Sequence, residues 1–421
     1  MADQHPSPSA AGSPPAYATD ASPGNAASGP EPGTAARIFR RLAAALTYRD
    51  FRVMWGGAFT SSIGTWMQKV AQSWLVLTLT GPASAFFLGL DSFLGELPIL
   101  LFTVIGGVIA DRRDKRQMML LSQYGQMATA FTLAALVYFD VVRIWYVLAL
   151  SCITGFVQAF GGPAYQSLLP LLVEKRHVPN AIALNSIQFN LARVIGPLLA
   201  GAALAAFGMV ACFGLNGLSF VVVIVAIMSL RVKHIPSAGG TRIIDELKTG
   251  IDYARRDTSL VTVIILAFAS AFFGFPLLTF LPVFTQSVFH GGVTEYSHLM
   301  AFAGAGAVTG ALVVAWLGKF PHMGRTLLLL NELLLFVAGS VLVTMFSLST
   351  SLAQLIAPNE MRGRVIGIYM VAFRGGSPLG SLVSGYVANL TSAPTMLAMN
   401  GVLLATVACV VLLRGHGVRE V

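Results

Sequence analysis

A chain of 421 residues that is 55% hydrophobic and only 11% charged is excluded from the ordinary soluble class, in which about a quarter of residues carry charge. Its formal net charge of +9 falls almost wholly in alternate loops between apolar runs. That pattern signals orientation in a bilayer and argues against nucleic acid as a partner. The three cysteines, Cys152, Cys212 and Cys409, lie inside apolar runs and read as small hydrophobes, with no disulfide framework.

Residues 1–35 are rich in Pro, Ser, Ala and Gly and hold no apolar core of the kind a signal peptide needs, so a disordered cytoplasmic tail is expected there. Ile38, Phe39, Leu42 and Leu46, interleaved with Arg37, Arg40 and Arg41, predict a short basic amphipathic helix on the inner leaflet. Apolar runs long enough to cross a bilayer follow at 53–80, 86–110, 118–139, 144–172, 183–207 and 209–230. With the basic segment they make a first unit, 36–230. A polar connection, 231–258, carries Ile243, Leu247 and Ile251 at helical spacing and predicts an interfacial linker helix. The second unit, 259–413, has runs at 259–288, 297–318, 326–356, 364–389 and 394–413, and 414–421 is a tail.

Positive residues fix the orientation. Arg37, Arg40, Arg41, Arg49 and Arg52 precede the first run, Arg112, Arg113, Lys115 and Arg116 follow the second, and Lys175 and Arg176 follow the fourth. The opposite loops hold Arg143 alone, beside the aromatic anchors Trp145 and Tyr146, so the N-terminus is expected in the cytoplasm.

The two units repeat each other. Arg193-Val194-Ile195-Gly196-Pro197-Leu198 answers Arg374-Gly375-Gly376-Ser377-Pro378-Leu379, as in transporters built from duplicated halves. The spacing then breaks: 77 residues separate Arg116 from Arg193, but only 49 separate the corresponding Arg325 from Arg374. Roughly one helix and its loop is missing between 326 and 356, because that run is too short for two crossings of about 20 residues each. A single crossing there would put Arg362, Arg364, Arg414 and Arg419 outside, against the pattern of every earlier loop. A re-entrant hairpin would keep them inside.

No Walker loop, His-Glu-x-x-His or Cys-x-x-Cys pattern is present, so the chain reads as no enzyme, with no cofactor and no metal. Work must come from a gradient, and an ionisable residue inside a span is then the default candidate. Lys69 lies about 24 Å from the cytoplasmic end of its run and Glu96 about 22 Å, by the helical rise. Equal depth on adjacent antiparallel helices lets them pair, as a coupling or substrate site or as a static bridge. Arg193 and Arg374 sit about halfway along their runs and are candidates too, or else they bond helix-end carbonyls. Asp91, about 30 Å from the same end, is expected at the outer interface in solvent. Trp66, Trp74, Phe272 and Phe273 are candidates to line a cavity, or core.

The stretch Gly107-Val108-Ile109-Ala110-Asp111-Arg112-Arg113-Asp114-Lys115-Arg116 resembles the signature loop of the major facilitator superfamily. Trp66-Met67-Gln68, Trp74-Leu75-Val76, Glu96-Leu97-Pro98 and Asn359-Glu360-Met361-Arg362-Gly363-Arg364 resemble the branch that holds enterobactin-type siderophore exporters and bacterial drug efflux proteins. The resemblance implies an all-α integral membrane protein of two pseudo-symmetric helix bundles, with eleven runs here against the usual twelve. It implies a multi-pass, monomeric transporter of the cytoplasmic membrane, exporting a small amphipathic substrate in exchange for protons by alternating access. An uncoupled facilitator or importer, or a truncated non-transporting protein, remains the alternative. In this reading Gly107 lets two helices approach closely. Asp111 and Arg112, with Lys115 and Arg116, latch the cytoplasmic gate, and Gly196, Pro197, Gly201 and Pro378 pack the interface between halves.

Overall fold

The computed structural model describes residues 44–112, 114–231, 252–253, 255–317, 349–354, 356–357 and 362–414. For residues 104, 108, 110–112, 310–317, 362–364 and 412–414 it describes the backbone alone. The expected tail, the linker helix and most of the run 326–356 lie outside these residues.

Among the described residues the chain is helical. Helix α1 is Arg49–Thr80, α2 Ser84–Arg112, α3 Lys115–Tyr138 and α4 Ile144–Leu168. The long α5, Val178–Met228, would extend over about 77 Å if straight, more than twice the bilayer's hydrocarbon thickness of about 30 Å. Gly208, at φ 74° and ψ −175°, breaks it, and the two arms fold together, with Cys212 Sγ 4.0 Å from the Ala200 carbonyl oxygen. A side chain at that φ would be strained, so glycine suits the reversal. The expected boundary between the runs 183–207 and 209–230 falls at the same residue.

The run 259–288 is not one helix. It is α6 (Thr258–Ala269), a π-helical turn (Ser270–Gly274), α7 (Pro276–Thr279) and α8 (Leu281–Ser287). Pro276 and Pro282 each remove a backbone donor, which accounts for the interruptions. Helix α9 is Val293–Leu317, α10 Arg362–Leu390 and α11 Ala393–Arg414.

Helix ends sort into two groups. At the basic end, Asp114 caps α3 by accepting from the Arg116 amide at 2.9 Å. There Arg49 donates to the Ser229 carbonyl at 3.1 Å, Arg116 donates to the Met228 carbonyl, and Asp50 accepts from the Arg231 amide at 3.0 Å. Two guanidinium groups thus satisfy orphan carbonyls at the negative end of the second α5 arm. At the aromatic end lie the turn after Thr80, the turn of Asp140 and Arg143, and Trp145, whose ring packs edge-on against Phe87 at 5.9 Å.

The repeat read from the sequence is geometric as well. In the first α5 arm, Gly196 lies so close to α1 that an added Cβ would sit 2.4 Å from Trp66 Cβ. In α10, a Cβ added at Gly376 would sit 2.7 Å from the Phe268 carbonyl oxygen, and one at Gly380 would run into the Phe272 backbone in the same way. Small residues let such backbones touch where lipid supplies no hydrophobic drive for helix association.

Candidate functional site

Between the halves lies a cavity of about 290 Å³, lined by α1, α2, α3, α4, both arms of α5, α9, α10 and the broken segment after α6. It stands near the lower end of the range for small-molecule pockets. Lys69, Glu96 and Arg193 all line it, and so does Asp91.

The wall is organised by a polar chain across four spans. Asn216 Nδ2 donates to Gln68 Oε1 at 2.6 Å, and Gln68 Nε2 to Gln72 Oε1 at 3.5 Å. Gln72 Nε2 reaches both Asp91 carboxylate oxygens, at 3.1 and 2.9 Å, and Ser151 Oγ donates to Asp91 Oδ1 at 2.5 Å. A carboxylate so deep in an apolar bundle is costly unless hydrogen-bonded, and this one is.

Asp91 is therefore not a solvated residue of the outer interface. It stands seven residues into α2 from Ser84, about 10 Å of helix, on the face that meets α1 and α4. Depth counted from the far end of the run concealed this. Gln68, Gln72, Ser151 and Asn216 were missed because a search for ionisable groups passes over amides and hydroxyls. The available signal was Gln68 and Gln72 four apart in an apolar run, which puts two amides on one helix face.

Trp66 carries two cations at the same cavity. Lys69 Nζ lies 5.3 Å from its ring centroid and Arg193 Cζ 5.4 Å, both within cation–π range. The ion pairs among the described residues are Arg49–Asp50 at 2.9 Å and Arg176–Glu174 at 2.8 Å, both at the basic end. Lys69 and Glu96 share the cavity without the expected pairing in this conformation. Arg374, the counterpart of Arg193, is exposed and outside the lining, though Ser377 one turn on is within it. Phe272 and Phe273 belong to the π-helical turn and are not lining residues.

The seam between halves is closed towards the aromatic end. Trp74 stacks on Tyr296, with centroids 6.1 Å apart and planes at 21°. An added Cβ on Gly201 would lie 2.9 Å from Ser297 Cβ, and one on Gly89 would lie 2.4 Å from the Ser381 carbonyl. Midway along α2 and α10, a Cβ added at Gly375 would lie in ordinary contact with Leu100, at 3.5 Å. Towards the basic end, a Cβ at Gly107 of α2 or at Gly367 of α10 would meet nothing within 4 Å among the described residues.

Two expectations about glycines change accordingly. In this conformation the close approach belongs to Gly106, whose added Cβ would lie 2.4 Å from the Ala159 carbonyl of α4, and not to Gly107. One residue is a rotation of about 100° on a helix, enough to move from one neighbour to open space. Gly201 does pack between halves, but Gly196 packs within the first half, against α1, and Pro197 and Pro378 are buried beside these glycine contacts. Arg116 holds a helix end within the first half. Lys115 is half-buried at the start of α3, and the side chains of Asp111 and Arg112 lie outside those described.

A bundle of helices long and apolar enough to cross a membrane, closing on a central polar cavity from two related halves, defines a multi-pass membrane transporter of small molecules. The chain belongs to the transmembrane secretion effector family, of the major facilitator type, whose model matches residues 42–331 and 323–416. The junction of those two stretches falls where the sequence spacing contracts.

The chain is 27% identical to the staphyloferrin A transporter of Staphylococcus aureus over 80% of its length and 89% of that protein. It is 22% identical to macrolide efflux protein A of Streptococcus pyogenes, over 70% and 72%. With the enterobactin exporter EntS of Shigella boydii it shares 25% identity, over 80% and 85%. In fold it is similar to a bacterial homologue of the human lysosomal transporter Spinster, with a TM-score of 0.69 at 12% identity over 87% of this chain and 96% of the other.

Proposed function

We propose that this protein is a proton-coupled exporter that moves small amphipathic molecules out of the cytoplasm by alternating access. The observation that carries the reading is the cavity itself: two carboxylates and two cations converge in it, and the seam between halves is closed towards the aromatic end. Exporters among the relatives support the outward direction. By the positive-inside rule the basic end faces the cytoplasm, and the closed seam at the opposite end fits a conformation that opens inward.

Glu96 and Lys69 are the coupling candidates. Within one cavity they pair in one state and part in another, and a carboxylate that loses its ammonium partner takes up a proton more readily. Asp111 and Arg112 form the latch that closes the basic end in the alternate state, when Gly107 and Gly367 come together. Arg374, outside the cavity now, reaches the seam only in that state.

The test is accumulation of amphipathic acids and amines in everted membrane vesicles, with and without an imposed inside-acid gradient. Uptake that collapses when an ionophore dissipates the gradient supports the reading. Equal uptake in both conditions favours an uncoupled facilitator, and none at all a protein that does not transport.

A further inference from the structure

We infer that the cavity is built for an anion: a small molecule with a carboxylate, or a similarly delocalised oxyanion, attached to a planar apolar body. The inference rests on the transporter reading and adds the substrate class to it.

Charge satisfaction separates the two sides of the cavity. Asp91 is already engaged, accepting from Gln72 at 3.1 and 2.9 Å and from Ser151 at 2.5 Å. Lys69 feels the Asp91 charge without pairing to it, and neither Lys69 nor Arg193 donates to a carboxylate among the described residues. Each rests on the Trp66 ring, at 5.3 and 5.4 Å, and neither has an anionic partner within ion-pair distance among the described residues. Two like charges held on one indole repel each other, and the ring's quadrupole offsets only part of that cost. An oxyanion placed between them removes the repulsion and gains charge-assisted hydrogen bonds from an ammonium and a guanidinium together.

Position reinforces chemistry. Trp66 and Lys69 lie one turn apart on α1, while Arg193 comes from the first arm of α5, fixed to α1 by the Gly196 contact with Trp66. The two cations are thus set by one rigid helix pair and do not depend on the seam. Across the cavity Phe275, Leu278 and Met300 offer an apolar wall from the second half. A molecule with its anionic head on Trp66, Lys69 and Arg193 and its apolar body on that wall would touch both halves. That is what a substrate must do to bias their closure.

The experiment is equilibrium binding to the purified full chain in detergent, with no gradient, using three matched probes: 2-naphthoate, its neutral amide and 2-naphthylmethylammonium. Naphthoate should bind saturably, and more tightly than both others. Arg193→Gln and Lys69→Gln should each weaken naphthoate by about tenfold, the loss of one charge-assisted contact, and leave the amide unchanged, while Lys69→Arg retains binding. A monodisperse elution profile guards against misfolded variants.

Tighter binding of the ammonium probe, equal binding of acid and amide, no naphthoate binding, or indifference to Arg193→Gln overturns the anion assignment. Gradient-driven uptake in vesicles is read separately, so an exporter of cations would fail the probe test and still pass the transport test.

Discussion

The indole of Trp74, in the first half, stacks on the buried phenol ring of Tyr296, in the second, at 6.1 Å and 21°. Tyr296 also lines the cavity, so the stack is both its roof and a tie between halves. An aromatic pair contributes about 0.5–1.5 kcal/mol beyond area burial. Trp74→Ala should therefore shift the population towards opening at the aromatic end by about two- to tenfold. The measurement is the labelling rate of a single cysteine at Ser92, in a background lacking Cys152, Cys212 and Cys409, by an impermeant thiol reagent applied from that side. An unchanged rate shows that the stack does not hold the seam.

Gly106 and Gly107 make opposite predictions from adjacent positions. A methyl at Gly106 would be driven into the Ala159 backbone, so Gly106→Ala should lower the melting temperature in detergent, at the scale of about 1–3 kcal/mol for an overpacked contact. Gly107→Ala should melt as the wild type does, since nothing lies within 4 Å. If Gly107 meets α10 when the basic end closes, Gly107→Ala should still slow transport. A Gly107→Cys, Gly367→Cys pair should cross-link only under conditions that populate the closed form. Equal melting of the two alanine variants would contradict the packing described for α2 and α4.

Much of this architecture was legible in composition and periodicity, and the reasons are physical. A bilayer demands about 20 apolar residues per crossing, so the limits of α1 to α4 and the turn at Gly208 stand out from hydropathy alone. Basic loops mark helix ends because charge is costly in lipid, and Arg49 and Arg116 do sit on helix-end carbonyls. What hydropathy could not show was rotation about each helix axis. It gave Lys69 and Glu96 a common depth, yet placed Asp91 in solvent and chose Gly107 over Gly106. The π-helical turn at Ser270–Gly274 was equally hidden, for an apolar run reads the same whichever carbonyl each amide bonds, and the close approach of Gly376 and Gly380 to this segment joins parts far apart in sequence.

The Asp91 cluster tests whether the polar chain is structural. Asp91→Ala leaves the Gln72 amide and the Ser151 hydroxyl without their acceptor, and an unsatisfied buried polar group costs about 1–3 kcal/mol. Asp91→Asn keeps an oxygen for them and should recover most of the melting temperature. If Asp91→Asn is as stable as the wild type and exports as well under a gradient, the carboxylate is a scaffold. If it is stable but loses gradient-driven uptake, Asp91 carries the proton instead of Glu96.

Lys69 and Glu96 give the sharpest test of coupling, because the two readings of that pair diverge only in combination. Glu96→Gln alone leaves the Lys69 ammonium without the partner it takes in the paired state, at a depth where a charge costs about 2.5–3.5 kcal/mol on insertion scales. The single change should lower expression and transport together, and Lys69→Met should do likewise by stranding Glu96. The double change removes both charges and with them the burial cost, so expression should recover under either reading. A merely structural bridge predicts that uphill export recovers too. A coupling pair predicts that accumulation against a gradient stays lost while downhill flux survives, since the substrate path is intact and the group that exchanges a proton is gone. Export is measured in vesicles with the gradient imposed and then collapsed, after matching the amount of folded protein. Full uphill export by the double variant removes Glu96 from the mechanism. Indifference to both single changes means that the two side chains, which share a cavity here, never meet during the cycle.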